Sequence, residues 1–177
     1  VIDSAQSADQ FAEQIQLASF EQAFRTSISQ AIVYSAMLFD DNGFQGLRRV
    51  IDISGDGANN QGLQVDLARD AAAAVGITIN GLPIMTGRAN PFGWLTVEHL
   101  DRYYADCVIG GPGAFLIPVR ERGELVEAIR RKLLLEIAGL GLEPRARLVP
   151  IASKVDCLIG EKAWQRYRGQ RGWDDPF

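Results

Sequence analysis

The apolar residues of this chain fall into short β-branched runs that alternate with segments of helical period. The clearest run holds Val50, Ile51 and Ile53, and it stops at a Gly-Asp-Gly turn within RRVIDISGDGANNQG (48–62). A second run, ITINGLPI (77–84), has the same character, and a third follows a Gly-Gly-Pro-Gly turn within 108–119. Strands that alternate with helices predict a parallel sheet with helices on its faces.

Polar residues that are typical helix caps predict where the helices begin. Ser7 with Gln10 fits a capping box for a first helix, and Thr26 fits the N-cap of a second. Thr96 is expected to cap a short helix over 97–105, and a strongly amphipathic helix is expected over 125–138. In the remaining helix, over 63–75, the residues expected to face the sheet are Leu63, Leu67, Ala71 and Ala74.

The number of strands is small for a sheet of this kind. Val1 and Ile2 read as the end of a strand, and about three good strands follow, whereas parallel sheets are buried on both faces and need several neighbours. We therefore expect a Rossmann-like α/β fold, a three-layer parallel sheet with helices on both faces, whose N-terminal strands are missing from this chain or are supplied by another chain. Residues 1–139 would form this partial domain, and residues 140–177 a Pro/Arg segment and tail that pack on it.

Composition and charge narrow the range of partners. The chain has 177 residues, of which 47% are hydrophobic, and a net charge of -4, so it carries no electrostatic signature of nucleic-acid binding. Its apolar runs stay well short of the roughly 20 residues that cross a bilayer. The chain begins at Val1 without an initiator Met, and we expect a segment, including a signal peptide, to have been removed upstream.

Cys107 and Cys157 are the only cysteines, and neither belongs to a Cys-x-x-Cys pair or stands beside a histidine. A zinc site or redox dithiol is therefore not expected. Two alternatives stay open: a disulfide that ties the C-terminal tail to the domain and implies an oxidising compartment, or two buried free thiols.

Polar residues at two predicted loops suggest a metal site. Thr26 and Ser27 stand at a helix start, and Asp56, Asn59 and Asn60 follow the central strand. Ligands of open α/β sheets collect at the carboxyl ends of the strands, and hydroxyl and carboxylate oxygens suit Mg²⁺. The alternative for Thr26 is a helix cap, and the alternative for Asp56 is a turn residue that caps the next helix.

Two further polar residues have structural interpretations. Asp52 lies within the central strand, where a charge needs a partner, and we expect Arg48 or Arg49 to supply it. His99, the sole histidine, has no nearby Ser or Cys nucleophile, so we expect a surface residue and no catalytic triad.

Several segments in order resemble a known family: RTSISQAI, RRVIDISGDGANNQG, GITINGLPI, YYADCVIGGPGAFLIPV and AIRRKLLLEIAG. Together they are similar to the C-terminal two-thirds of a proteobacterial family of von Willebrand factor A-like domains of unknown function. In such domains a metal-ion-dependent adhesion site is built from an Asp-x-Ser-x-Ser loop, a Thr from a second loop and an Asp from a third. By position Thr26 matches the Thr and Asp56 the Asp, whereas the Asp-x-Ser-x-Ser segment is absent here.

The resemblance implies a periplasmic or secreted, non-enzymatic module that binds a protein partner through Mg²⁺ or another divalent cation, once the missing motif is supplied. Thr26 and Asp56 would be ligands, with Ser27, Asn59 and Asn60 behind them. A structural subunit that keeps the fold and has lost the metal is one alternative.

A second alternative is an enzyme. The segment GDGANNQG (55–62) is also similar to the Gly-Asp-Gly segment of thiamine-diphosphate enzymes, whose Asp and a later Asn hold the Mg²⁺ of the cofactor diphosphate. Asn80 lies about where that Asn would be sought. However, such enzymes need a second domain, and only this loop agrees.

Overall fold

A computed structural model describes residues 1–19, 25–40, 42–86, 97, 99–137 and 155–171. Its strands are β1 (Arg49–Gly55) and β2 (Ile77–Pro83). Its α-helices are α1 (Ala5–Leu17), α2 (Ile28–Met37), α3 (Val65–Ala74), α4 (Leu100–Tyr103), α5 (Leu125–Ile137) and α6 (Ile159–Arg171). A π-helical turn, Tyr104–Val108, continues α4.

The two strands pair in parallel, from Arg49 opposite Ile77 to Gly55 opposite Pro83. On the far side of β2, isolated parallel bridges join Gly81 to Leu116 and Ile84 to Val119, so an extended segment runs beside it. The other edge of β1 pairs with no strand among the described residues. β1 therefore has one covered edge and one uncovered edge in this part of the chain.

Helices pack on both faces of this small sheet because the side chains of each strand alternate between faces. On one face, the strand isoleucines join buried residues of α2, α3 and the segment 100–108 in the main core. On the other face, Leu82 and Val119 pack against Ala128 of α5. The described residues thus form an α/β unit around a two-strand parallel sheet, and the full three-layer sheet that we predicted is not present among them.

Several predicted boundaries and faces are wrong. Val1 and Ile2 form no strand and are exposed. The first helix is capped by a Ser4–Ser7 box, not by Ser7 with Gln10. Thr96 and the Pro/Arg segment 141–150 lie outside the described residues, whereas α6 forms a helix where only a tail was expected.

The buried face of α3 is also not the predicted one. It consists of Val65, Ala68 and Ala72, whereas Leu63 and Leu67 are 52% and 58% exposed. The helix begins at Val65, two residues later than predicted. The small side chains of its true inner face let it lie close to the sheet, which the leucines would prevent.

A disulfide links Cys107 of the π-helical turn to Cys157, with Cα atoms 5.5 Å apart. The disulfide prediction is confirmed, and the alternative of two free thiols is wrong. Because the two cysteines are 50 residues apart in sequence, the bond joins the segment that precedes α6 to the core of the domain. Within the described ranges, no helix is long and apolar enough to cross a membrane.

Candidate functional site at the carboxyl end of β1

Two loops meet beyond the carboxyl end of β1. The backbone N–H of Thr26 donates to Oδ1 of Asn60 at 2.9 Å, and the N–H of Asn60 donates to the carbonyl of Thr26 at 2.9 Å. Beside them, the Ser27 hydroxyl donates to the carbonyl of Gln61 at 2.9 Å. These bonds hold the loop before α2 against the loop that carries Asp56.

Asn59 anchors the same loop to the core. Its Oδ1 accepts from the N–H of Ser29 at 3.0 Å, its Nδ2 donates to the carbonyl of Leu63 at 3.0 Å, and its N–H donates to the Tyr103 hydroxyl at 3.1 Å. Asn59 and Asn60 are both buried. Their side chains therefore fix the positions of the two loops, and their predicted place behind the ligands of a metal ion stays a prediction.

Neither Thr26 nor Asp56 caps a helix, which was the alternative to a metal-binding role for each of them. The N-cap of α2 is Ser27, whose side chain accepts from the N–H of Gln30 at 3.3 Å, so the prediction of Thr26 as the cap is wrong. The N-cap of α3 is Gln64, without a side-chain cap. Thr26 and Asp56 are both exposed, so their side chains are accessible to a ligand from solvent.

A buried hydroxyl lies beneath the Asp56 loop. Tyr104 is fully buried, and a Cβ added to Gly55 would lie 2.9 Å from its hydroxyl oxygen. Burial, then the neighbouring Tyr103 and the charge of Asp56, raise the pKa of Tyr104, so its hydroxyl stays protonated at neutral pH. Within the described part of the chain this hydroxyl has no hydrogen-bond partner. The Tyr104 hydroxyl is therefore an unpaired donor among the described residues, and it lies next to the candidate site because Gly55 has no side chain between them.

Two exposed side chains carry oxygen atoms of the kind that bind Mg²⁺. Thr26 supplies a hydroxyl and Asp56 a carboxylate, which are hard ligands of the type that Mg²⁺ takes in an octahedron with several waters. Among the described residues, no group of three or more His, Cys, Asp or Glu side chains is arranged to hold a metal. Any ion bound here would therefore need further ligands from water or from another segment.

Asp52 has a different partner from the one predicted. Its carboxylate pairs with the ammonium of Lys132 on α5, and Lys132 also donates to Glu136 at 3.0 Å. Arg48 and Arg49 instead donate to backbone carbonyls, those of Glu136 and Val75. The sequence did not predict this partner, because Lys132 is far from Asp52 along the chain and α5 comes near Asp52 only through tertiary packing. Burial lowers the pKa of Lys132, and its bond to Glu136 opposes this shift.

Asn80 is not at the candidate site. It is buried in the middle of β2, where its amide donates to Glu136 at 2.8 Å and its Oδ1 accepts from the N–H of Phe115 at 3.1 Å. Its pairing partner across the sheet is Asp52, not Asp56. The role of Asn80 as a metal ligand beside Asp56 is therefore contradicted. His99, by contrast, is exposed, as predicted for a surface residue.

A family model for DUF1194, described as a protein of unknown function, matches residues 1–141. The chain belongs to this family. No curated protein and no solved structure was found to match the chain. The DUF1194 match includes both loops of the candidate site and the whole sheet, but it ends before α6.

In this DUF1194 chain, α6 contributes contacts that the sequence did not predict. Glu161 accepts from Nδ2 of Asn59 at 2.6 Å, and the guanidinium of Arg25 lies 4.6 Å from the ring centroid of Trp164. Arg25 immediately precedes Thr26, so α6 contacts both loops. The helical spacing of Ile159, Ala163 and Tyr167 was a signal for the helix, but nothing in the sequence locates it beside the site.

Proposed function

We propose that this chain is part of a von Willebrand factor A-type domain that binds a protein partner through a divalent cation and does not act as an enzyme. The cation is Mg²⁺ or a similar ion, with the Thr26 hydroxyl and the Asp56 carboxylate among its ligands. The remaining ligands come from water, from the partner and from an Asp-x-Ser-x-Ser loop, which this sequence lacks and which a further segment or another chain would supply.

One observation carries this proposal: the reciprocal hydrogen bonds between Thr26 and Asn60, both at 2.9 Å. They bring the threonine loop against the loop of Asp56, four residues before Asn60, at the edge of the sheet where ligands of open α/β folds collect. Since neither side chain caps its helix, their exposure at this edge favours a ligand-binding role over a purely structural one.

The uncovered edge of β1 agrees with the larger fold. In a Rossmann-like sheet a strand that carries site residues has neighbours on both sides, and in the part of the chain that the structure describes only β2 is paired with β1. A further parallel strand on the free edge would end beside Asp56 and would bring its own loop to the site. The first loop of the von Willebrand A-type site would have this position.

The location that we propose is the periplasm or the extracellular space. The Cys107–Cys157 disulfide is typical of proteins from oxidising compartments, and so indicates an extracytoplasmic protein. A metal ion with an open coordination position suits such a module, because an acidic side chain of a protein partner can complete the octahedron.

The test is a titration of the natural full-length protein with Mn²⁺ and Mg²⁺, followed by calorimetry. We expect saturable binding that Asp56→Asn and Thr26→Val each weaken at least about tenfold, because each removes one oxygen ligand. Asp9→Asn, which removes an exposed carboxylate from α1, serves as the control and should bind like the wild type. Equal affinity in all four proteins, or no binding in the wild type, would reject the metal site.

Thiamine diphosphate separates the enzyme alternative from this proposal. Asn80 is committed to Glu136 and Phe115, which argues against a cofactor diphosphate site that uses it. We expect no rise in melting temperature when thiamine diphosphate and Mg²⁺ are added together beyond the rise with Mg²⁺ alone. A further, cofactor-dependent rise would favour the enzyme.

A further inference from the structure

The helix α6 lies against the buried side of the candidate site. Gly160, near its start, is buried against the carbonyl of Asn59 so closely that a Cβ at this position would overlap that oxygen. One residue later, Glu161 accepts the hydrogen bond from Asn59 at 2.6 Å. Further along, Trp164 stacks with Arg25, next to Thr26. The same helix therefore contacts the Asp56 loop and the threonine loop.

Covalent and polar bonds hold the start of α6 in this position. Cys157 is bonded to Cys107, and the N–H of Val155 donates to Oδ2 of Asp106 at 3.0 Å. Both Cys107 and Asp106 belong to the π-helical turn, which packs in the main core. The disulfide lies two residues before α6 begins, so it limits how far the helix can move from the loops.

We propose that α6 is a clamp on the candidate site and that Glu161 is a positioning residue, which acts on Thr26 and Asp56 through Asn59. Nδ2 of Asn59 donates both to Glu161 and to the carbonyl of Leu63, and together these bonds fix the orientation in which Oδ1 of Asn59 accepts the N–H of Ser29 at the start of α2. Loss of the Glu161 carboxylate removes one of the two acceptors of Nδ2, which weakens the hold on the Asn59 side chain and loosens the contact between the two loops. The effect of this clamp on metal binding rests on the proposed function. The effect of α6 on the positions of the two loops does not depend on it.

The Glu161 carboxylate is partly buried beside Asn59. Its second carboxylate oxygen is buried and has no hydrogen-bond partner within the described ranges. Burial raises the pKa of Glu161, the bond from Asn59 opposes this shift, and the nearby Asp156 and Asp66 add to it. A carboxylate kept in such surroundings needs a specific contact, and Asn59 supplies one.

The test compares Glu161→Ala with Glu161→Gln in the natural full-length protein. Gln retains an oxygen that accepts from Asn59, so it should rescue the contact that Ala removes. Amide hydrogen exchange is followed at Ser29 and Asn60, whose N–H groups bond across the loops, and Mn²⁺ affinity is measured in parallel. Gln165→Ala, an exposed position on α6, is the control for changes to the helix.

We expect Glu161→Ala to speed exchange at Ser29 and Asn60 about tenfold and to weaken Mn²⁺ binding by a similar factor, because Asn59 loses its charged acceptor. Glu161→Gln and Gln165→Ala should stay within about twofold of the wild type. Unchanged exchange at both amides in Glu161→Ala would overturn the clamp. Faster exchange in a protein whose wild type binds no Mn²⁺ would support the clamp and reject only the metal site.

A second measurement avoids the substitution at Glu161. Cys107→Ser with Cys157→Ser removes the disulfide, and we expect faster exchange at Ser29 and Asn60 with little change at Ile79 in the core of the sheet. If the two loop amides keep wild-type protection while α6 itself exchanges rapidly, α6 does not clamp the loops and the inference is wrong.

Discussion

Thr26 and Asn60 lie 34 residues apart and are joined by reciprocal hydrogen bonds. The N–H of Thr26 donates to the side-chain oxygen of Asn60, and the N–H of Asn60 donates to the carbonyl of Thr26. The side-chain bond makes Asn60 a substitute for the backbone of a neighbouring strand, because it satisfies the N–H of a loop residue that no sheet reaches. The two loops are therefore fixed to each other without a shared strand or helix.

Replacement of Asn60 should loosen this junction. In Asn60→Ala the N–H of Thr26 loses its acceptor, and we expect the free energy of unfolding to fall by about 1 kcal/mol, the usual contribution of one hydrogen bond. Urea denaturation measures the change. Gln61→Ala is the control, since the contact of Gln61 with Ser27 uses only its carbonyl, and a loss as large in this variant would contradict our interpretation.

Lys132 should contribute more to stability than any other charged residue in this part of the sheet. Its side chain is 5% exposed, and its ammonium contacts Asp52 and Glu136, whose side chains are 39% and 15% exposed. Lys132→Met leaves both carboxylates without their cation, and we expect the free energy of unfolding to fall by about 3 kcal/mol. This value is at the lower end of the range for breaking a buried ion pair, because Asp52 is partly solvated.

Two control variants bracket this loss in the same urea experiment. Asp52→Asn removes only the partly exposed partner and should cost about 1 kcal/mol. Arg131→Met, on the exposed side of α5, should stay within about 0.5 kcal/mol of the wild type. Equal stability of Lys132→Met and Arg131→Met would mean that the cluster contributes nothing.

The sequence predicted the sheet better than the site. The runs at 50–53 and 77–84 were correctly predicted as strands, because β-branched runs bounded by turn residues are a local signal. The face of α3 was missed because Leu67 and Val65 both fit a helical stripe, and only the distance to the sheet decides between them. Local patterns do not contain that distance.

The candidate site shows the same limit. Thr26 and Asp56 were selected as residue types at loop positions, which the sequence contains. The pairing of Lys132 with Asp52 and of Glu161 with Asn59 joins residues about 80 and 102 positions apart. Such contacts depend on how the helices dock, and a single sequence does not specify them.

Gly111 and Gly113 in the Gly-Gly-Pro-Gly turn should differ strongly in their tolerance of a side chain. Both have positive φ, +87° and +70°, so alanine is strained at either position. A Cβ at 111 would overlap the backbone of Ile77 and Thr78, whereas a Cβ at 113 meets nothing within 4 Å. We expect Gly113→Ala to lower the unfolding free energy by about 1 kcal/mol and Gly111→Ala by roughly 3 kcal/mol or more.

Thermal and urea unfolding of the two glycine variants measure that difference. Each is the control for the other, because strain from positive φ is common to both and only the overlap with β2 is specific to Gly111. Similar losses in the two variants would show that the turn moves away from β2 at little cost.

The uncovered edge of β1 gives the most direct test of the larger fold. The carbonyl of Gly55 accepts from the N–H of Ile84. The backbone N–H and C=O groups of Gly55, Ile53 and Ile51 therefore point toward β2. Because successive N–H groups along a strand point to opposite sides, those of Asp52 and Ser54 face the free edge. If a further strand completes the sheet in the natural protein, both amides must be hydrogen-bonded.

Hydrogen exchange on the natural protein decides this point. If a further strand is paired with β1, we expect Asp52 and Ser54 to exchange at least about a hundredfold more slowly than unpaired amides, and Ile53, which bonds to β2, is the internal reference. Rapid exchange of Asp52 and Ser54, with Ile53 protected, means that no strand pairs with this edge and that a von Willebrand A-type sheet is not formed.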